Sequence, residues 1–145
     1  MARIVFDLPA QFGFSTELQV YISHVNQGGH LDNAQLLSLV SEARLRFFHA
    51  IGYREGHVDG AAIVVGDMLA QYKSEAFHGE TLRVQMQPMD FNRYGCDLVF
   101  CMTEVSSGRE VARGKTGVVL IDRVARKPAP IPDAVRKALE AVATR

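Results

Sequence analysis

The residues best equipped for chemistry lie in one short stretch, Asn26-Gln27-Gly28-Gly29-His30-Leu31-Asp32-Asn33. His30 supplies an imidazole whose ordinary pKa of about 6.5 suits proton transfer near neutral pH. Asp32 supplies a carboxylate, and Asn26 an amide that hydrogen-bonds but hardly titrates. Directly behind them, Leu36, Val40, Ala43, Phe47 and Ile51 recur at helical spacing, and Leu37, Leu39 and Phe48 widen the stripe. The spacing predicts a long helix over residues 33–51 that needs cover on most sides. Gly28 and Gly29 allow a tight entry, and Asp32 or Asn33 can cap the first turn. The first N–H groups of such a helix lack partners within it and carry its positive dipole end. Near Asn33 they therefore suit a carbonyl oxygen that is becoming an oxyanion. A glycine loop with an Asx cap also begins many helices that do no chemistry, so the pattern alone leaves both readings open.

The elements that must position this loop read as mostly extended. Residues 1–15 form an extended lead-in anchored by Phe6, Leu8, Phe12 and Phe14. Residues 16–25 alternate Leu18, Val20 and Ile22 with polar neighbours, the period of a half-buried strand that delivers the chain to Asn26. Residues 52–60, including Arg54, Glu55, His57 and Asp59, read as a polar surface loop, and residues 61–77 as a long strand. Residues 80–91 alternate clearly until Pro88 disturbs the pattern. Residues 94–105 and 110–122 follow as two strands about the hairpin signal Ser106-Ser107-Gly108. A short helix beginning at Asp133 closes the chain, with Ala138, Leu139 and Val142 on one face. One helix that needs covering and one sheet with a face to bury imply an α+β fold in which the sheet wraps the helix.

Composition bounds the rest. A chain of 145 residues is one domain in size, 1–145, with a core at about 16–122 and a C-terminal extension over 123–145. Sixteen basic and sixteen acidic residues leave no excess of charge for a nucleic acid. The N-terminal stretch reads as neither a secretory signal nor a membrane span, which places the protein in the cytoplasm. Cys96 and Cys101 lie five apart, on opposite faces of their strand, and read as buried free thiols; no metal site is expected.

Gly29-His30-Leu31-Asp32-Asn33-Ala34, followed by Ser41-Glu42-Ala43-Arg44, resembles the opening of hotdog-fold acyl-CoA thioesterases of the 4-hydroxybenzoyl-CoA thioesterase type. His24 and Asn26 stand where that family has two aspartates, the second of which is its usual catalytic carboxylate. The resemblance spans nearly all of residues 16–122. It implies a hotdog fold, an antiparallel sheet curled around a central helix, assembled as a homodimer or homotetramer. It also implies that the N–H near Asn33 polarises a thioester carbonyl that Asn26 faces, with Gly29 in the binding loop; by residue type and position, His30 is the candidate for the missing base and Asp32 the other nearby carboxylate. Glu42 is structural, paired with Arg46 four residues on. Coenzyme A, present only as part of the substrate, requires cations for its phosphates, and Arg113 and Lys115 on one strand face are the best placed.

Three functions fit this reading. The first is hydrolysis of an acyl-CoA, or of an acyl carrier protein thioester, to a free acid and a thiol. The second is non-catalytic binding of an acyl thioester, which the loss of a carboxylate at position 26 favours. The third, enoyl-CoA hydration, is disfavoured by the missing Asp-x-Asn-Pro-x-His pattern and by an Asn26–His30 spacing one residue too short.

Overall fold

The computed structural model describes residues 3–54, 57–58 and 60–145. Glu55 and Asp59 of the expected polar connection, and the first two residues of the lead-in, lie outside the described residues. Strand β1 (Phe14–Gln19) leads through a short 3-10 turn at Ile22–His24 to helix α1 (Asn33–Ala50). Strands β2 (His57–Val58), β3 (Ala61–Tyr72), β4 (Thr81–Met89), β5 (Gly95–Glu104) and β6 (Glu110–Asp122) follow, and helix α2 (Asp133–Ala143) closes the chain. The strands form one antiparallel sheet in the order β1-β4-β5-β6-β3-β2.

The sheet curls around α1, as the resemblance implied. Leu36, Leu39, Val40, Ala43, Phe47 and Phe48 of the helix join Leu82, Val84 and Met86 of β4 and Leu98, Phe100 and Met102 of β5 in one apolar cluster. Phe47 is fully buried and meets the rings of both Phe14 and Phe48 edge-on, at centroid distances of 5.4 and 5.3 Å. Val135, Leu139 and Val142 of α2 belong to the same cluster, so no packing boundary separates residues 123–145 from the core.

Several expected boundaries move, each for a local reason. The strand expected over residues 16–25 ends at Gln19, because the chain turns into the 3-10 segment and leaves Ile22 71% exposed. The connection over residues 52–60 contains β2, which pairs His57 and Val58 with Ala62 and Ala61. Strand β3 stops at Tyr72, short of the expected Phe77, where Lys73 and Ser74 both donate to the Val111 carbonyl. Pro88 does not end β4. Strand β1 pairs with β4 only as far as Met86, and Pro88 sits beyond it, where β4 is an edge and tolerates proline.

The hairpin between β5 and β6 has five loop residues, 105–109, where three were expected. The Glu104 carboxylate accepts the N–H groups of Ser106 and Ser107 at 2.8 and 2.9 Å, and Gly108 takes a φ of +74° that a side chain would strain. The cysteines are buried, free and on opposite faces. Cys96 joins the core cluster, whereas the Cys101 Sγ meets Glu110 at 3.5 Å. Burial, with the charge of Asp97 adding, pushes the Cys96 thiol up to about 12. Burial and then Glu110 push Cys101 up to about 11, so both are poor nucleophiles.

Two outcomes check this fold. Phe47→Ala should cost about 3–5 kcal/mol in urea unfolding, the range for removing a fully buried aromatic ring. Bonds from the backbone N–H groups of Ser106 and Ser107 hold the Glu104 carboxyl below its ordinary 4.5. Its contribution is therefore present above that pH and is lost as pH falls through the lower folded value, so Glu104→Gln should flatten the acid limb of a stability–pH curve.

Candidate functional site

The loop before α1 is built by backbone bonds that its glycines permit. The Asn26 N–H donates to the His30 carbonyl at 3.1 Å, and Gly29 N–H donates back to the Asn26 carbonyl at 3.0 Å. Gly29 takes a φ of +85°, the left-handed conformation that the reversal requires. The Asn26 side-chain oxygen accepts the Gly28 N–H at 2.9 Å, which orients the amide and leaves its NH₂ group without a partner among the described residues. His24, at the other position where an aspartate was expected, is structural. Its Nδ1 accepts the Tyr21 N–H at 3.0 Å, and its carbonyl accepts the Asp32 N–H at 2.9 Å.

Asp32 is the N-cap of α1. Its Oδ2 accepts the N–H groups of Ala34 and Gln35 at 3.0 and 3.2 Å, and its carbonyl accepts that of Leu36. The helix therefore has its second, third and fourth N–H groups satisfied. The first, at Asn33, takes no partner among the described residues and keeps the dipole's positive end exposed. Of the expected roles for Asp32, the cap is the one its geometry displays.

Around this N–H lies a cleft of about 450 Å³ lined by Asn26, His30, Asn33, Leu36, Tyr72 and Glu75, among others. Two bonds bring the end of β3 beside the loop. The Leu31 N–H donates to the Ala76 carbonyl at 2.7 Å, and the Tyr72 hydroxyl donates to the Asn33 carbonyl at 3.3 Å. The His30 Nε2 then stands 3.8 Å from the Glu75 carboxylate, with Nδ1 3.4 Å from the Leu31 carbonyl. A hydrogen bond from Nδ1 to that carbonyl would leave Nε2 as the acceptor; the tautomer follows the bond. Lys73, also in the lining, makes no ion pair among the described residues.

Asn26, His30 and Asn33 line one cleft, joined there by Tyr72, Lys73 and Glu75, which the sequence reading left as the end of a strand. Their only signal was position, just after a long β run. Arg113 and Lys115 are not brought to the cleft. Alternation along β6 places them on the face opposite Ala112, Val118 and Leu120. Arg113 forks onto Glu110 at 2.9 and 3.0 Å and donates to the Phe6 carbonyl, and Lys115 donates to Asp67 and Asp97 at 2.6 and 3.0 Å. Burial alone would lower the Lys115 pKa, but its hydrogen bonds to the two aspartates outweigh that and raise it. No group of three or more His, Cys, Asp or Glu that could hold a metal ion occurs among the described residues.

A family model described as the thioesterase-like superfamily matches residues 20–139. No curated protein matches the sequence significantly. Among solved structures, a thioesterase from Thermus thermophilus complexed with coenzyme A and Zn is 26% identical, with a TM-score of 0.81 over 94% of this chain and 98% of that one. A 1,4-dihydroxy-2-naphthoyl-CoA thioesterase from Synechocystis superposes with a TM-score of 0.79 at 22% identity, over 87% of this chain and 94% of that one. A Staphylococcus aureus protein in complex with CoA reaches 0.84 at 15% identity, over 97% and 89%. The last two likenesses carry the fold alone.

The cap is open to a direct check. Asp32→Ala frees two N–H groups and should lower stability by about 1 kcal/mol in chemical unfolding, with Asp32→Asn losing less.

Proposed function

We propose, because the chain belongs to the thioesterase-like superfamily, that it hydrolyses an acyl-CoA thioester to a free carboxylic acid and coenzyme A. The observation that carries the reading is the Asn33 N–H at the start of α1, unpartnered among the described residues, in a residue that lines a cleft also holding an imidazole beside a carboxylate. The thioester carbonyl oxygen accepts this N–H, which strengthens its hold as negative charge grows on the oxygen. Water attacks the carbonyl carbon while His30 takes its proton. The tetrahedral intermediate then collapses with cleavage of the C–S bond, and the imidazolium returns the proton to the departing sulfur. Glu75 stabilises the imidazolium that forms between those steps, and the free NH₂ of Asn26 donates to the thioester or the attacking water. An imidazole–carboxylate pair thereby takes over the task of a carboxylate at position 26.

Lys73, at the cleft and without an ion pair among the described residues, is better placed for a CoA phosphate than Arg113 or Lys115, which acidic partners already hold. The 26%-identical Thermus structure, complexed with coenzyme A, supports this substrate class. A second copy of the chain completes the assembly as a homodimer, or a homotetramer built from dimers. Past Ala61 and Ala62, where β2 pairs, the outer edge of β3 is unpaired among the described residues and offers a ladder to its counterpart. The cytoplasm suits such a protein, for both cysteines are free.

Release of free thiol from short, long and aromatic acyl-CoAs tests the reading. Turnover by the native protein is expected, with His30→Ala reducing kcat roughly a hundredfold or more and Glu75→Gln producing a smaller loss. Saturable binding of every thioester with no thiol release would sink the hydrolase and leave a non-catalytic acyl-thioester-binding protein, the role Asn26 would then serve.

A further inference from the structure

The turn after β6 carries cations that no ion pair among the described residues answers. Arg123, Arg126 and Lys127 are exposed, as is Arg93 on the connection before β5. The Leu120 N–H donates to the Tyr94 carbonyl at 2.8 Å and the Ile131 N–H to the Arg93 carbonyl at 2.9 Å, which holds both segments at one end of the sheet. Arg46, Arg83, Arg109, Arg113 and Lys115 each meet a carboxylate within 3.0 Å; these four cations meet none among the described residues. Asp122, the acid beside them, spends its Oδ1 on the N–H groups of Val124 and Ala125 at 2.9 and 2.7 Å. The turn is also fixed in shape. The Arg126 N–H donates to the Asp122 carbonyl at 2.9 Å, and the Asp122 N–H donates to the Lys127 carbonyl at 2.8 Å. Arg126 itself takes a φ of +58°, a region that glycine or asparagine enters more easily. A rigid frame that presents unpaired like charges suits a polyanion.

Coenzyme A is such a polyanion. Its nucleotide end bears a pyrophosphate and a 3′-phosphate, more negative charge than Lys73 at the cleft balances alone. Within one chain the turn is too far away to help. Asp122 pairs with Ala61 at the start of β3, whereas the cleft begins at Tyr72, eleven residues along the strand or about 35 Å. A second copy changes this. Beyond Ala62 the outer edge of β3 has no neighbour among the described residues, and a two-fold axis that pairs this edge with itself runs the two strands antiparallel. The Tyr72 end of one copy then lies against the Ile63 end of the other, where the adjoining β6 ends in the basic turn.

We propose that the basic turn of each copy, Arg123, Arg126 and Lys127 with Arg93 beside it, holds the nucleotide phosphates of the coenzyme A bound in the cleft of the other copy. The assignment rests on the acyl-CoA reading for its ligand and on the pairing of β3 for its geometry.

Isothermal titration of the full-length protein with coenzyme A and with dephospho-coenzyme A, which lacks the 3′-phosphate, tests the contact without turnover. Coenzyme A should bind about tenfold more tightly, the difference expected of charge-assisted bonds. The combined Arg123→Gln, Arg126→Gln, Lys127→Gln variant should lose that preference while its circular dichroism spectrum and its sedimentation as an oligomer stay native. Subunit exchange tests the crossing between copies. When this variant is mixed with a His30→Ala chain, only the mixed dimer has a cleft with both His30 and an intact opposite turn, so low-KM turnover of acyl-CoA should return. No binding of coenzyme A, equal binding of the two probes, full preference in the folded triple variant, a monomer that keeps the preference, or verified exchange without recovery would each overturn the proposal. Absence of thiol release from acyl-CoAs by the native protein would sink the hydrolase alone, because the titration still reads the turn.

Discussion

The carboxylate of Asp32 decides where α1 begins, and the site depends on that decision. By accepting the N–H groups of Ala34 and Gln35, while its own carbonyl takes that of Leu36, it leaves a single orphan donor, at Asn33. A cap one residue earlier would have consumed that donor, and one residue later would have made Asn33 the cap and moved the orphan to Ala34. The same residue is tied backward, through its N–H, to the His24 carbonyl, so the loop and the helix start form one unit. The acid that sequence alone nominated as a possible base thus acts through the backbone: it selects the group that can meet an oxyanion.

The fold holds that unit in place from two sides. Apolar residues of α1 are locked into the curled sheet, with Phe47 between Phe14 and Phe48, and the end of β3 is stitched to the loop by the Leu31–Ala76 and Tyr72–Asn33 bonds. The second link delivers Glu75 to His30. Charge is otherwise distributed as mutual neutralisation. Arg109 with Glu80, Arg113 with Glu110, and Lys115 with Asp67 and Asp97 are closed local sets, which is why the late strands carry many cations and yet offer few to a ligand. Among the described residues Lys73 stands outside those sets, in the lining of the cleft at the start of α1.

Most of the architecture was legible from pattern. The helix expected over residues 33–51 is Asn33–Ala50, because its apolar residues recur at helical spacing behind an Asx cap, and the last strand expected over residues 110–122 is Glu110–Asp122, bounded by the turn signal before it. The failures share a cause. The strand expected to reach Val25 ends at Gln19, β3 ends at Tyr72, and the hairpin is longer than three residues, because side-chain and backbone bonds from distant segments terminate these elements and leave no local signature. The site divides in the same way. The loop residues announced themselves by type and spacing, but Glu75 did not, since its place beside His30 exists only after some forty intervening residues have folded back through α1 and β3. Lys115 looked available because Asp67 and Asp97, which hold it, come from other strands, whereas Glu110, three residues before Arg113, was close enough in sequence to have been suspected.

Amide chemical shifts test whether the Asn33 N–H is the group that meets the carbonyl oxygen. A non-hydrolysable acyl-CoA analogue in which a methylene replaces the thioester sulfur keeps the carbonyl and removes the reaction. On its addition to uniformly labelled protein, the Asn33 amide proton should move downfield more than any other amide of the loop, as a new strong hydrogen bond requires. Saturable binding that shifts other residues while leaving the Asn33 amide in place would contradict the claim and move the oxyanion contact elsewhere.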